Sequence, residues 1–592
     1  MSFFKNKSNM LACILAIVSA SQWQFLLGMQ MADNNITAQI GVLFLVMGGY
    51  FLFKQAFTLN DKRLLCIAYV LGFVFSAIVM VGLPLRNAPH YDTPTLGGIC
   101  LALLRFLSYG ISFGAMISLA YNQLLIYRAK PLPTCKESLL SKITGNFGFL
   151  CLFFALCWLP IWWAFYPGSF TADSVTQFWE YYYSDFSTHH PLLHTFFLGA
   201  CMAYGLDNTM EGLPSTGIAI YCLIQTAILC LIFAYSLWWL RKHRAPLWAR
   251  LGLTGFFGLF PFYPLWTFSA QKDILFSAFI VMFLLLLIDI GNDRGKRLAT
   301  FVRIVACIFF AVGLMLLRNN GIYALCVAIP FMVLFFKGAR LRLTAVATVS
   351  VVSAMLISSA LTNYVSATVP CKIELLSVPL QQISRTLKEY PEAIDVDTDG
   401  VIQTLYAEKN PADSYHEMIS DPVRWNAIYD HVDENLVPLF KLWIKMGVAY
   451  PATFTEAFVI QNLPYLVPGS PMLYYFDLPV RELEMFPVEQ FNFMPPVKEV
   501  YSHYGETLNF MSLPFVSLLS DAAFYVWLAL FMFGYALYLK QTHIMAVLCF
   551  LFAIWLSCLM GPVAIPRYML AFFYVIPLLF VYMLKEPCHK KS

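Results

Sequence analysis

From residue 274 to 288 the chain reads ILFSAFIVMFLLLLI, an uninterrupted uncharged run. Lys272 and Asp273 stand immediately before it, and Asp289, Arg294, Lys296 and Arg297 follow. A helix needs about 20 mostly apolar residues to cross a bilayer core about 30 Å thick. This stretch and its flanks meet that need. Comparable runs start near Met10, Ala38, Leu64, Gly97, Ile143, Thr216, Leu247, Thr300, Ile322, Leu343, Asp521, Ile544 and Tyr568. The sequence therefore predicts an all-α polytopic membrane protein with about 14 transmembrane helices.

Composition agrees. Of 592 residues, 59% are hydrophobic and 12% charged, against about 45–50% and about 25% in soluble proteins. So little charge cannot coat a water-facing surface, which excludes a disordered chain, a soluble enzyme and a nucleic-acid partner. The 15 cysteines lie mostly in apolar runs without metal-site spacing and read as small hydrophobes.

Lysine and arginine alternate along the chain. Lys5/Lys7, Lys54/Lys62/Arg63, Arg128/Lys130, Arg241/Lys242/Arg244, Arg294/Lys296/Arg297, Lys337/Arg340/Arg342, Lys540 and Lys585/Lys590 fall after alternate spans. Opposite loops carry only Arg86, Lys272, Arg318 and Arg567. By the positive-inside rule both termini are cytoplasmic. Pro191–Leu206 would invert that pattern if counted as a span, so it reads as an interfacial or re-entrant helix on the outer face. Residues 364–519, also outside, hold 20 of the 34 acidic residues and 15 of the 32 prolines. Short helices with proline-rich loops are expected there. Val432, Leu436, Leu439, Phe440, Trp443 and Ile444 predict one amphipathic helix. Tyr474, Tyr475, Phe476, Phe486, Phe491 and Phe493 suit an interfacial belt or sugar stacking.

Polar residues at the outer span ends are the functional signal, because ionisable groups there are costly. Asp173 follows the Tyr166-Pro-Gly turn, with Ser174, Thr176 and Gln177 after it. His189, His190 and His194 flank Pro191, which fits a first helical turn and puts His190 and His194 on one face. Lys272 and Asp273 open one span, and on a helix they point about 100° apart. Arg318-Asn319-Asn320-Gly321 and Pro566-Arg567-Tyr568 complete the set. Plainer roles are available to each: helix caps for Asp173, Ser174 and Asp273, backbone-bonded histidines, and arginines snorkelling to headgroups. Three lone cations on one face suggest instead a phosphate clamp, with Asp173 as general base. A divalent cation held by Asp173, His190 and His194 is the one cofactor this pattern admits; no metal ligand set is assigned.

An acidic residue soon after a span, then His190-Pro191-Leu192-Leu193 on an interfacial helix, resembles the GT-C superfamily of membrane glycosyltransferases. Tyr166-Pro-Gly, Asp173-Ser174, His-His-Pro-Leu, Lys-Asp, Arg-Asn-Asn-Gly, Pro379-Leu-Gln-Gln-Ile383 and Pro-Arg-Tyr are also similar to a broad uncharacterised family of bacterial membrane proteins. The resemblance implies a GT-C-like bundle in the bacterial plasma membrane, with an extracytoplasmic active site and a mainly helical extracytoplasmic domain. It implies an N-terminal four-helix appendage over 1–141, a seven-helix catalytic module over 142–363, an outer domain over 364–519 and a C-terminal three-helix segment over 520–592. It further implies sugar transfer from a polyprenyl-phosphate or pyrophosphate carrier to a glycan, lipid or protein acceptor. Asp173 would be catalytic, while His189, His190, His194, Gln177, Lys272, Asp273, Arg318, Asn319, Asn320, Arg567 and Tyr568 would bind substrate. The sequence departs from that pattern in having Asp-Ser for an acidic pair and one proline for two. Two alternatives stay open: a ligase or polymerase using a lipid-linked oligosaccharide, and a lipid-linked glycan flippase.

Overall fold

A computed structural model describes residues 7–26, 36–92, 95–130, 139–207, 214–293, 295–336, 338–473, 488, 490–506 and 516–584. The chain opens with α1 (Lys7–Leu26), α2 (Ile36–Ala56), α3 (Lys62–Asn87) and α4 (Leu96–Ala129), followed by the short α5 (Leu139–Ile143). Then come α6 (Phe147–Ala164), α7 (Ala172–Tyr182), α8 (Leu192–Asp207), α9 (Pro214–Lys242), α10 (Leu247–Leu259) and α11 (Phe262–Thr267). The bundle continues with α12 (Lys272–Asn292), α13 (Phe301–Leu317), α14 (Asn320–Phe335) and α15 (Arg340–Tyr364). A piece of short helices follows: α16 (Ser377–Glu389), α17 (Val401–Tyr406), α18 (Asp421–Trp425), α19 (Leu436–Ala449), α20 (Pro451–Leu466) and α21 (Pro495–Glu506). The chain ends on α22 (Ala522–Leu539), α23 (Thr542–Leu559) and α24 (Leu570–Met583). Isolated bridges are the sole β pairing among the described residues.

Ten of the described helical segments are long and apolar enough to cross a membrane, so this is a multi-pass membrane protein. The other four of the fourteen expected spans are shorter or more polar. Helix α1 carries Ser19, Ser21, Gln22 and Gln24, while α10, α13 and α14 have 13, 17 and 16 residues. The run from Leu247 was expected to be one span, but it breaks between α10 and α11 at Phe260-Pro261. Proline pushes the residue before it into extended backbone, and Phe260 has ψ 122°. At about 1.5 Å per residue, α10 alone spans about 20 Å.

Close contact between α3 and α4 rests on missing side chains. A Cβ on Gly72 would lie 2.4 Å from the Gly114 nitrogen and 2.6 Å from the Gly110 oxygen. Small residues of this kind let helix backbones approach inside a membrane.

The 364–519 piece has its own core, which includes Leu376, Leu380, Leu405, Leu439 and Leu442. Helix α16 lies at its centre: Gln382 donates to Phe454 O at 2.8 Å and accepts from Trp443 at 2.7 Å, and Gln381 donates to His416 O at 2.6 Å. The expected amphipathic helix is α19: of the residues read from spacing, Val432 and Leu439 are buried in this core and Leu436 and Trp443 pack against it. Leu439, Leu442 and Met446 face the core, whereas Phe440 and Ile444 are exposed. The stripe therefore differs at its edge, taking in Leu442 and Met446 where spacing gave Phe440 and Ile444. Helix α20 leaves this piece and enters the bundle, where Val459, Ile460, Leu463 and Val467 pack with Leu85 of α3. Tyr474, Tyr475, Phe476 and Phe486 lie outside the described residues. Phe491 and Phe493 pack against the Tyr166 ring.

Buried Arg385 of α16 ties the two parts together. It pairs with Glu389 at 2.7 Å and Glu456 at 2.9 Å, and donates to Pro89 O beyond α3.

Candidate functional site

The site begins with the extended segment between α11 and α12. Backbone inside an apolar bundle needs internal hydrogen-bond partners, and α9 supplies them. Gln225 donates to Thr267 O at 2.9 Å and Ser269 O at 2.8 Å, and Thr226 donates to Thr267 O at 3.1 Å. The turn after α6 lies alongside: Ser169 N donates to Phe268 O and Ala270 N to Ser169 O, each at 2.9 Å. Gly168 has φ +128°, and a Cβ there would lie 2.5 Å from Cys222 Sγ. Only glycine lets the chain pass at that point. Ser174 of α7 donates to Ala270 O. The start of α7 is thereby fixed against the start of α12.

These contacts place Asp173 beside Lys272. Neither Asp173 nor Asp273 caps its helix, as the caps are Thr171 and Gln271 without side-chain cap bonds. Instead both carboxylates meet the cations. Lys272 Nζ donates to Asp173 Oδ2 at 3.2 Å and to His190 Nδ1 at 2.8 Å. Arg567 Nη2 reaches Asp173 Oδ2 at 3.3 Å, and its Nε lies 3.3 Å from Asp273 Oδ2. Arg318 pairs with Asp273. The Tyr568 ring lies between the two guanidinium groups, 4.5 Å from Arg318 and 5.0 Å from Arg567. The divergence of Lys272 and Asp273 on their helix is what sends one to Asp173 and the other to the arginines.

The lone cations of the sequence reading are thus paired in the structure. Three cations face two carboxylates, so the cluster keeps one net positive charge. Asp173 is its open member, with a side chain 33% exposed against 1–13% for the others. Burial pushes the Asp173 carboxyl up, but Lys272 and then Arg567 outweigh it and hold it well below the usual carboxylate range. His190 is driven well below its ordinary value by burial and then by Lys272, so it is neutral and accepts from the ammonium. Buried Gln271 accepts from Arg567 at 3.2 Å, while its Nε2, like the Thr171 hydroxyl, has no hydrogen-bond partner among the described residues.

The remaining expected residues divide. His194 turns from the cluster, contacting Gln177 and, at 2.7 Å, the Tyr221 hydroxyl. His189 is exposed and packs edge-on to His190. Asn319 reaches Thr188 O at 3.4 Å, and Asn320 opens α14. A divalent cation shared by Asp173, His190 and His194 does not fit this geometry: the Lys272 ammonium stands between the first two, and both His194 ring nitrogens are engaged elsewhere. The His90, Glu389 and Glu456 group also has metal-like spacing, but Arg385 already pairs with both of its carboxylates. Two cavities, of about 310 Å³ beside Gly291 and His543 and about 540 Å³ beside Tyr127 and Trp248, lie at the other end of the bundle.

Sequence reasoning missed Gln225 and Thr226, which are uncharged in an apolar run, and Glu180. The spacing of 173, 177 and 180 on one helix face was the available signal for Glu180.

A model of a family of unknown function, DUF6020, matches residues 179–592, a stretch beginning inside α7 just after Asp173. No curated protein and no solved structure matches the chain.

Proposed function

The chain belongs to the DUF6020 family of unknown function, and we propose that it is a membrane glycosyltransferase moving a sugar from a polyprenyl-phosphate carrier to a cell-envelope acceptor. The observation that carries this reading is the convergence of Lys272, Arg318 and Arg567, from three separate chain segments, on one cluster. Cations of this kind at a span end suit a lipid phosphate at headgroup depth, and charge-assisted bonds are among the strongest available to hold it. The orphan donors of Gln271 and Thr171 add to the case, since buried polar groups are normally satisfied.

Asp173 in its ion pairs is a weak base. A phosphate oxygen that draws Lys272 and Arg567 to itself would loosen them from Asp173. The carboxylate then serves to hold the two cations apart and oriented until the donor arrives. As bonding to phosphate breaks, the same cations stabilise the charge on the leaving group. The outer piece, at the same end of the bundle, would hold the acceptor. A flippase is less well supported. Asp289, the acidic residue at depth, is taken up by Trp239 and His243, each at 2.9 Å, near the far end of α12.

Surface glycans of a deletion strain, compared with its parent and with the strain complemented by the intact gene, test the assignment. Loss of one sugar or polymer, restored on complementation, is expected. An unchanged surface would remove the glycosyltransferase reading.

A further inference from the structure

Glu180 lies on the face of α7 that also carries Asp173 and Gln177, positions related by helical spacings of three and four residues. It stands about 10 Å along the axis from Asp173. Gln177 fixes that face through His194. Glu180 Oε2 is buried without a hydrogen-bond partner among the described residues, the Ser187 hydroxyl bonds the carboxyl, and Lys272 is within electrostatic reach. The other charged group acting on it is Asp185 in the following loop.

We infer that Glu180, rather than Asp173, is the catalytic base that accepts the proton from the acceptor hydroxyl in the transfer reaction. This rests on the glycosyltransferase reading above. The two carboxyls on this face have opposite environments, and such a division separates the group that stays ionised from the group that exchanges protons. Burial above all, with Asp185 adding and Ser187 and Lys272 opposing, raises Glu180 to about 7. That is where a general base works best at neutral pH. An in-line displacement places the base and the leaving group on opposite faces of the anomeric carbon. The acceptor oxygen's lone pair forms the new bond to the anomeric carbon. The bond from that carbon to the phosphate oxygen breaks with its electrons on phosphate, held by Lys272 and Arg567. The acceptor's proton passes to Glu180, which releases it to solvent before the next cycle.

The first test is binding of farnesyl methyl phosphate, a diester with no group titrating near neutrality, to the full chain in nanodiscs. As pH rises from 6 to 8, ionising Glu180 adds a negative charge near the diester, and parental affinity should fall about tenfold. Glu180→Gln should abolish that step while still binding, which also shows that the variant folds. In the deletion strain, Glu180→Gln should then leave the surface glycan missing, and Glu180→Asp should restore part of it. The same pH step in parent and variant, or a parental surface with Glu180→Gln, would overturn the assignment. Absence of diester binding to the parent chain would instead remove the phosphate reading on which it rests.

Discussion

Asp173 and Lys272 make opposite predictions for the binding of one phosphate. Asp173 competes with the ligand for Lys272 and Arg567, so Asp173→Asn should bind farnesyl methyl phosphate more tightly, by about tenfold. Lys272→Gln removes a charge-assisted bond worth roughly 1.5–3 kcal/mol, so binding should weaken about ten- to hundredfold. Calorimetry on both variants in nanodiscs checks the pair, and weaker binding by Asp173→Asn would mean that the carboxylate's positioning role outweighs its competition. Because Asp173 is held far below neutrality, it stays ionised across the cell's pH range, and pH dependence near 7 falls to Glu180. The sequence made the five charged members legible because charge is rare at span ends in so apolar a chain. Their pairing was not legible, since it depends on which loops meet. Glu180 was hidden for a different reason: among aromatic neighbours in a polar stretch, nothing marks one more carboxylate until the helix places it.

At the scale of elements, hydropathy located the helices but not their continuity. Leu247 to Thr267 reads as one span, yet Pro261 divides it, and the segment beyond becomes the backbone on which Lys272 is mounted. Helix α19 was found with most of its stripe, but that Leu442 and Met446 rather than Phe440 and Ile444 complete it is a tertiary choice that periodicity alone leaves undecided. The α3–α4 contact yields a direct test. Gly72→Ala must push a methyl group against the backbone of Gly110 and Gly114, and overpacking of this kind costs about 1–3 kcal/mol. Gly48 of α2 has open space around it, so Gly48→Ala is the matched control. Thermal unfolding in detergent should show a clearly lower midpoint for Gly72→Ala and none for Gly48→Ala; equal midpoints would mean that the two helices can part without loss.

For the molecule as a whole, the lysine and arginine alternation predicts which end faces the cytoplasm. Single cysteines at two exposed positions test it in a background freed of native cysteines. Glu392→Cys should label in intact cells with an impermeant thiol reagent and Lys242→Cys should not; the reverse pattern would invert the chain and place the cation cluster inside. One connection described above matters at this scale. Helix α20 belongs at one end to the 364–519 piece, and along its length it grips the segment of chain leading to Arg567. Gln461 donates to Gly561 O at 2.8 Å, Asn462 to Leu559 O at 3.1 Å and Tyr465 to Ile565 O at 2.8 Å. Ile565 is two residues from Arg567, so a tilt of α20 is transmitted to that guanidinium through three side-chain hydrogen bonds. Under the proposed function, an acceptor that occupied the 364–519 piece and shifted α20 would change the grip of Arg567 on the donor phosphate. By thermodynamic linkage the donor would then change the affinity of that acceptor by the same factor, and the two halves of the proposed reaction would load as coupled events.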